Sequence, residues 1–162
     1  MYSKSPWTKG LTIISILGTI VIVALIVYVC YVACTSAKMS YMWIFAAILT
    51  IVLLWAIVVA PMGVSVDKDG NITIHLLACR IRIAKEEIIK ITPFPSDRGT
   101  IRLLGSGGLF GYMGLFRNAE IGTFSNYSTD LEKSHVIYRK NKRPIVVTVA
   151  DSSIFKIYKN EN

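Results

Sequence analysis

The sequence predicts a membrane-anchored protein in which a transmembrane helical hairpin precedes an all-β domain. Residues 11–63 contain two long apolar runs, at 11–33 and 41–62, in which no acidic or basic side chain occurs. From Val64 onward, apolar and polar residues alternate in short segments separated by turn residues, which is the pattern of half-buried β-strands. The predicted parts are a tail at 1–10, the hairpin at 11–63 and a domain at 64–162.

Each apolar run is long enough to cross a bilayer, because a helix needs about 20 residues to span a hydrocarbon layer of about 30 Å. A cleaved secretory signal has a shorter apolar core of about 7–15 residues, so we interpret the first run as an anchor. Neither run contains Asp, Glu, Lys, Arg or His. Transport paths and proton relays usually require such groups inside the membrane, so the sequence argues against a pore or carrier.

The distribution of basic residues indicates how the hairpin is oriented. Lys4 and Lys9 precede the first run, and Lys38 alone lies between the runs. The second run is followed by Lys68, Arg80 and Arg82. Short segments rich in Lys and Arg tend to stay in the cytoplasm. We therefore expect both termini to be cytoplasmic.

The net charge of +8 lies mostly in the predicted domain, which holds 15 of the 18 basic residues and all ten acidic ones. A modest positive balance suits the anionic inner leaflet of a membrane. Nucleic acid is a poorer match, because the sequence has no basic helical stripe or RNA-binding aromatic motif. The three cysteines, at 30, 34 and 79, do not form a recognisable metal or redox motif.

The domain is predicted to contain seven or eight short antiparallel strands, arranged as a sandwich or a small barrel. Asp69-Gly70 marks a tight hairpin between two of them. At the end of the chain, Asp151 can cap a helix in which Ile154, Ile157 and Tyr158 share one face. A last strand remains an alternative for this segment.

The segment GSGGLFGYMGLF at 105–116 has five glycines among apolar residues. It lacks the Gly-Lys-Ser/Thr ending of a phosphate-binding loop and the spacing of a dinucleotide-binding motif. A structural role is therefore expected for the glycines, which tolerate backbone conformations closed to other residues. Four apolar side chains of the segment are candidates for contact with lipid: Leu109, Phe110, Tyr112 and Met113.

This segment, followed by AEIGTFSNYSTD and by the strands around SHVIYRK and PIVVTV, resembles the bacterial PH-domain family found behind short membrane anchors. The resemblance covers about residues 64–160. It implies a PH-like antiparallel barrel or sandwich with a C-terminal helix, in a protein of the bacterial inner membrane. It brings no catalytic residues and no cofactor. Phosphoinositide-binding PH domains have several basic residues around the first hairpin, whereas VSVDKDGNITIH offers Lys68 against Asp67 and Asp69.

We expect a binding module that recruits a protein partner or contacts the anionic leaflet. The candidate contact residues are Arg80, Arg82, Lys85, Arg98 and Arg102. A structural subunit that acts through its hairpin within a larger membrane complex is the alternative, and homo-oligomerisation stays open. An enzyme is not expected, because His75 and His135 are isolated and no hydrolase or metal-binding motif is present.

Overall fold

In the computed structural model, which describes residues 1–35, 41–95 and 99–159, two helices precede a domain built from two β-sheets. The helices are α1 (Lys9–Thr35), α2 (Met42–Val58) and, at the C-terminus, α3 (Lys156–Lys159). The strands are β1 (Tyr2–Lys4), β2 (Pro61–Val66), β3 (Ile72–Leu76), β4 (Arg80–Ile83), β5 (Ile88–Pro93), β6 (Ile101–Gly107), β7 (Tyr112–Asn118), β8 (Gly122–Ser128), β9 (Ser134–Arg139) and β10 (Lys142–Thr148).

The two N-terminal helices contact each other and differ in length. Helix α1 has 27 residues, and by length and composition it can cross a membrane. Helix α2 is also apolar but has 17 residues. It is shorter than the run predicted at 41–62, because Pro61 and Met62 already belong to strand β2. The predicted loop at 34–40 lies mostly outside the described residues.

The strands form a four-stranded sheet in the order β1-β2-β3-β4 and a six-stranded sheet in the order β5-β9-β10-β8-β7-β6. All pairs are antiparallel except β8 and β10, which run parallel. In the described residues the two sheets do not close into a barrel, so the predicted sandwich describes them better. The predicted strand count was too low, because β1 and the hairpin partner β7 were not recognised.

The core lies between the two sheets. Apolar side chains of the four-stranded sheet pack against Ile137, Ile145 and Val147 of the other sheet. A short 3-10 helix at Ser152–Phe155 closes one end of this core, and the predicted cap is present, since Asp151 accepts a hydrogen bond from the Ser153 amide. Of the predicted apolar face, Ile154 and Tyr158 pack against the core, whereas Ile157 is 40% exposed and Phe155 is buried in its place.

The first six residues belong to the domain, although the sequence suggested a separate tail. Strand β1 pairs with β2, and the amino group of Met1 donates to the Val66 carbonyl at 2.6 Å. The Ser5 hydroxyl donates to the Thr148 carbonyl at 2.7 Å, which ties the tail to the second sheet. The sequence did not reveal this strand, because three residues are too few to show the alternation of apolar and polar side chains.

Candidate binding surfaces

The turn between β6 and β7 contacts helix α1 two turns into the helix. Ser15 is 2% exposed, and its hydroxyl accepts from the Phe110 amide at 2.9 Å and donates to the Gly108 carbonyl at 3.3 Å. One further turn along α1, Gly18 leaves space for Leu109, whose Cδ1 lies 3.0 Å from the position a Cβ on Gly18 would take. The domain is therefore attached to the first third of α1.

Two glycines of the predicted segment permit the β6–β7 hairpin to form. Gly105 and Gly114 are register partners, with φ angles of +116° and +127°. A Cβ on Gly105 would lie 2.0 Å from the Met113 carbonyl oxygen, and one on Gly114 would lie 2.2 Å from the Leu104 carbonyl oxygen. The structural role predicted for the glycines is confirmed at these two positions.

The four apolar candidates separate into three environments. Leu109 and Phe110 are half-buried at the turn against α1, where the Phe110 ring meets the edge of Trp7 at 6.4 Å between ring centres. Tyr112 is half-buried on the outer face of the six-stranded sheet. Met113 is 1% exposed, so it is a core residue and cannot reach lipid. The prediction grouped them because sequence does not distinguish the two sides of an apolar hairpin.

The basic candidates do not form one patch. Arg80 and Arg82 are exposed on β4 and line an open polar groove on the four-stranded sheet. Lys85 lies beside the β2–β3 turn, next to Gly70. Arg102 is on β6 in the other sheet, and Arg98 lies outside the described residues.

The β3–β4 turn brings Arg80 close to the end of helix α2. The Leu77 and Ala78 amides donate to the carbonyls of Ala60 and Val58 at 3.0 and 3.2 Å. Arg80 follows two residues after Ala78 along the chain. Arg80 therefore lies close to the end of α2.

His75 faces the same groove, opposite Arg80 in the register of β3 and β4. Its Nε2 lies 2.8 Å from the Ser65 hydroxyl, and its ring meets the edge of Tyr2. Partial burial, with a smaller contribution from the Arg80 charge, lowers the pKa of His75 below its usual value. The neutral imidazole is therefore favoured in the fold.

The outer face of the six-stranded sheet has a pocket that the sequence did not predict. It has a volume of about 300 Å³. Its lining consists of Thr100, Arg102, Gly107, Tyr112, Phe116, Asn126 and Leu131. Asn126 is the feature that sequence reasoning missed. The sequence contains a signal for it: Phe124 and Asn126 are two residues apart in β8, so the alternating pattern places the Asn126 amide on the same buried side as Phe124.

The sequence profile of one family, described as bacterial PH domain, matches residues 62–159. The chain belongs to the bacterial PH domain family. No characterised protein and no solved structure matches the chain significantly.

The matched part of this bacterial PH domain begins within β2 and ends at the last residue of α3. Strand β1 and the two long helices lie outside it, although β1 completes the four-stranded sheet. PH domains are generally non-catalytic binding modules, which directs attention to the groove beside Arg80 and the pocket around Asn126. In residues 1–35, 41–95 and 99–159, no group of three or more side chains is arranged to hold a metal ion.

Proposed function

We propose that this bacterial PH domain is a membrane-anchored binding module at the cytoplasmic face of the bacterial inner membrane. The observation that carries the proposal is the pairing of β1 with β2. The chain segment before α1 and the segment after α2 are hydrogen-bonded to each other, so both lie on one side of any membrane that α1 crosses. The positive-inside tendency places that side in the cytoplasm.

The lengths of the helices support a chain that crosses and returns. Helix α1 has 27 residues against 17 in α2, so it is ten residues longer. Lys9–Gly18 is a stretch of ten residues, and it includes both positions that contact the β6–β7 turn. The remaining 17 residues of α1 match α2, and each covers about 25 Å at 1.5 Å per residue. The β6–β7 turn would then lie at the bilayer interface.

Contact with the anionic leaflet would depend on the height of each basic residue. Arg80 lies close to the end of α2, and Arg82 is two residues further along β4. Lys85 lies beside Gly70, beyond the far end of β2. The six residues of β2 extend about 17 Å at 3.3 Å per residue, which is about twice the Debye length of 8 Å at physiological salt. Arg80 and Arg82 are therefore the residues proposed to contact lipid head groups.

A fluorescent label on Cys79 tests the leaflet contact. Cys79 is exposed in the β3–β4 turn beside Arg80. With Cys30 and Cys34 replaced by Ser, the labelled full-length protein is placed in nanodiscs of neutral lipid or of mixed neutral and anionic lipid. We expect a blue-shifted emission with anionic lipid, because the attraction of Arg80 and Arg82 holds the label against the head groups.

Replacing Arg80 and Arg82 by Gln, or adding salt, should remove the blue shift, whereas Lys85→Gln should leave it unchanged. Emission that is the same in neutral and anionic nanodiscs would rule out leaflet contact. Recruitment of a protein partner would then be the remaining role of the module. If the protein is instead a structural subunit that acts through its helices, replacing the helices beyond Gly18 by an unrelated hairpin should abolish its function.

A further inference from the structure

The pocket on the outer face of the six-stranded sheet contains a buried amide with no partner. Asn126 is 1% exposed, yet neither its Oδ1 nor its Nδ2 makes a hydrogen bond within the described part of the chain. The hydroxyl of Ser128, two residues along the same face of β8, is 0% exposed and also unpaired there. Leaving such groups unpaired costs about 1–3 kcal/mol each in folding, so a ligand that pairs with them would bind favourably.

The space beside Asn126 results from the glycine pair of the β6–β7 hairpin. Asn126 is the register partner of Gly114 on β7, and Gly114 is the partner of Gly105 on β6. Neither glycine contributes a side chain to cover the amide. A side chain at either position would collide with the opposite strand, so neither position can accept a side chain that would lie over the amide.

A cation and an apolar wall complete the pocket. The side chain of Arg102 runs along β6, and its Nη1 lies 2.9 Å from the position a Cβ on Gly107 would take. Among residues 1–35, 41–95 and 99–159, no carboxylate forms an ion pair with Arg102. Tyr112, Phe116 and Leu131 form the apolar part.

The chemistry of Asn126 distinguishes between possible ligands. Its side chain has one acceptor oxygen and a donor NH₂ group. A phosphodiester or a simple carboxylate accepts hydrogen bonds but cannot donate one to Oδ1. The N–H and C=O of a single trans peptide group point in opposite directions. An extended residue, however, presents its own N–H and its own C=O along one edge, so it can satisfy both atoms. A guanidinium binds a carboxylate through two parallel hydrogen bonds.

We propose that this pocket binds the C-terminal end of a peptide, with the terminal carboxylate on Arg102 and a backbone amide on Asn126. The apolar side chain of the last residue lies against Tyr112, Phe116 and Leu131. This assignment rests on the proposed function as a binding module and gives the protein partner its chemistry.

N-acetyl-leucine is a minimal probe, because it combines one peptide amide, one carboxylate and one apolar side chain. The full-length protein in detergent micelles, labelled with ¹⁵N, is titrated with it while the side-chain NH₂ signals of Asn126 are followed by NMR. We expect saturable shifts at millimolar concentrations. N-acetyl-leucinamide, which lacks the carboxylate, should bind at least about 10-fold more weakly, because it loses the charge-assisted pair with Arg102.

Two substitutions separate the two contacts. Arg102→Gln should reduce the affinity for N-acetyl-leucine about 10-fold and leave the affinity for the amide unchanged. Asn126→Ala should weaken both probes. Arg117→Gln is the matched control, because Arg117 is an exposed arginine on the adjacent strand, next to Phe116 but on the opposite side of β7, and it should change nothing. Leu131→Trp, which enlarges a half-buried side chain of the lining, should block binding while the protein stays folded.

Linear, unsaturated shifts, or equal binding by the Arg102→Gln variant, would overturn the assignment. Binding of inorganic phosphate in place of N-acetyl-leucine would also contradict it. The outcome is independent of the Cys79 measurement. If the probe does not bind but the Cys79 label responds to anionic lipid, only the proposed peptide ligand is contradicted. If the probe binds but the label does not respond, only the proposed leaflet contact is contradicted.

Discussion

The two faces of the six-stranded sheet are built from the same strands but differ in kind. The inner face, towards the four-stranded sheet, is formed by Ile137, Ile145 and Val147 and has an aliphatic core. The outer face combines an aromatic cluster with Asn126 and Ser128, whose polar atoms are buried and unpaired. The alternation along each strand assigns one set of residues to each face, so a single strand supplies side chains to both.

Buried aliphatic side chains and buried unpaired polar side chains contribute differently to stability and to binding. Aliphatic side chains that exclude water completely can only stabilise the fold. A buried amide without a partner destabilises it, unless a ligand or water supplies the missing hydrogen bonds. We therefore expect substitutions of Ile137, Ile145 and Val147 to affect stability, and substitutions of Arg102 and Asn126 to affect binding. The buried cluster of Phe124, Val136 and Val146 on the outer face also stabilises the fold.

The largest effect is expected on the inner face. Ile137 is 0% exposed, so Ile137→Ala should lower the free energy of unfolding by about 2–5 kcal/mol through lost burial and a cavity. Ile101, on the edge strand β6, is 62% exposed, so Ile101→Ala should change the free energy of unfolding by less than about 0.5 kcal/mol. Denaturant unfolding in micelles measures both. Equal losses would contradict the position of the core.

The glycine pair underlies the space on the outer face. Gly114→Ala should cost about 1–3 kcal/mol from backbone strain, with a further loss from the collision with the Leu104 carbonyl. Gly122 also has a positive φ, +78°, but its Cβ would meet open space, so Gly122→Ala should cost less. If the two variants unfold at the same denaturant concentration, close approach of the strands is not what selects glycine at 114.

Two buried polar residues give opposite expectations on substitution. Thr148 is 0% exposed, and its hydroxyl accepts from the amides of Thr129 and Asp130, so Thr148→Val should cost about 1–3 kcal/mol. Asn126→Leu removes unpaired atoms and should be neutral or stabilising by about 1 kcal/mol, while N-acetyl-leucine binding is lost. A large destabilisation by Asn126→Leu would mean that Asn126 supports the fold.

The smallest effect is expected in the groove of the four-stranded sheet. Because the pKa of His75 is lowered from 6.5 in the fold, the unfolded chain binds more protons between the two values. The free energy of unfolding should therefore fall as the pH drops below about 6.5 and be constant above it. His75→Gln should flatten this part of the profile. An unchanged slope would assign the pH dependence to another group.

Much of the fold could be predicted from the sequence, because its signals are local. The apolar runs, the alternation of β3 and β10, and the cap at Asp151 each depend on a few adjacent residues. Strand β1 could not be predicted, because its partner lies about sixty residues away. The pocket could not be predicted either, since Arg102, Gly114 and Asn126 meet only through the register of three strands. The height of Arg80 above the helix end likewise depends on a tertiary contact.

The position of the β6–β7 turn relative to the bilayer tests whether the domain is seated at the membrane. A single-tryptophan protein, with Trp7, Trp43 and Trp55 changed to Phe and with the substitution Phe110→Trp, is placed in nanodiscs with lipids that carry a quencher near the head group. We predict strong quenching, because the turn is attached to α1 at Ser15. Ala119→Trp is the control: it is exposed at the other end of β7, about 23 Å away at 3.3 Å per residue, and should not be quenched. Unquenched emission from the Phe110→Trp protein would show that the domain is not seated at the membrane.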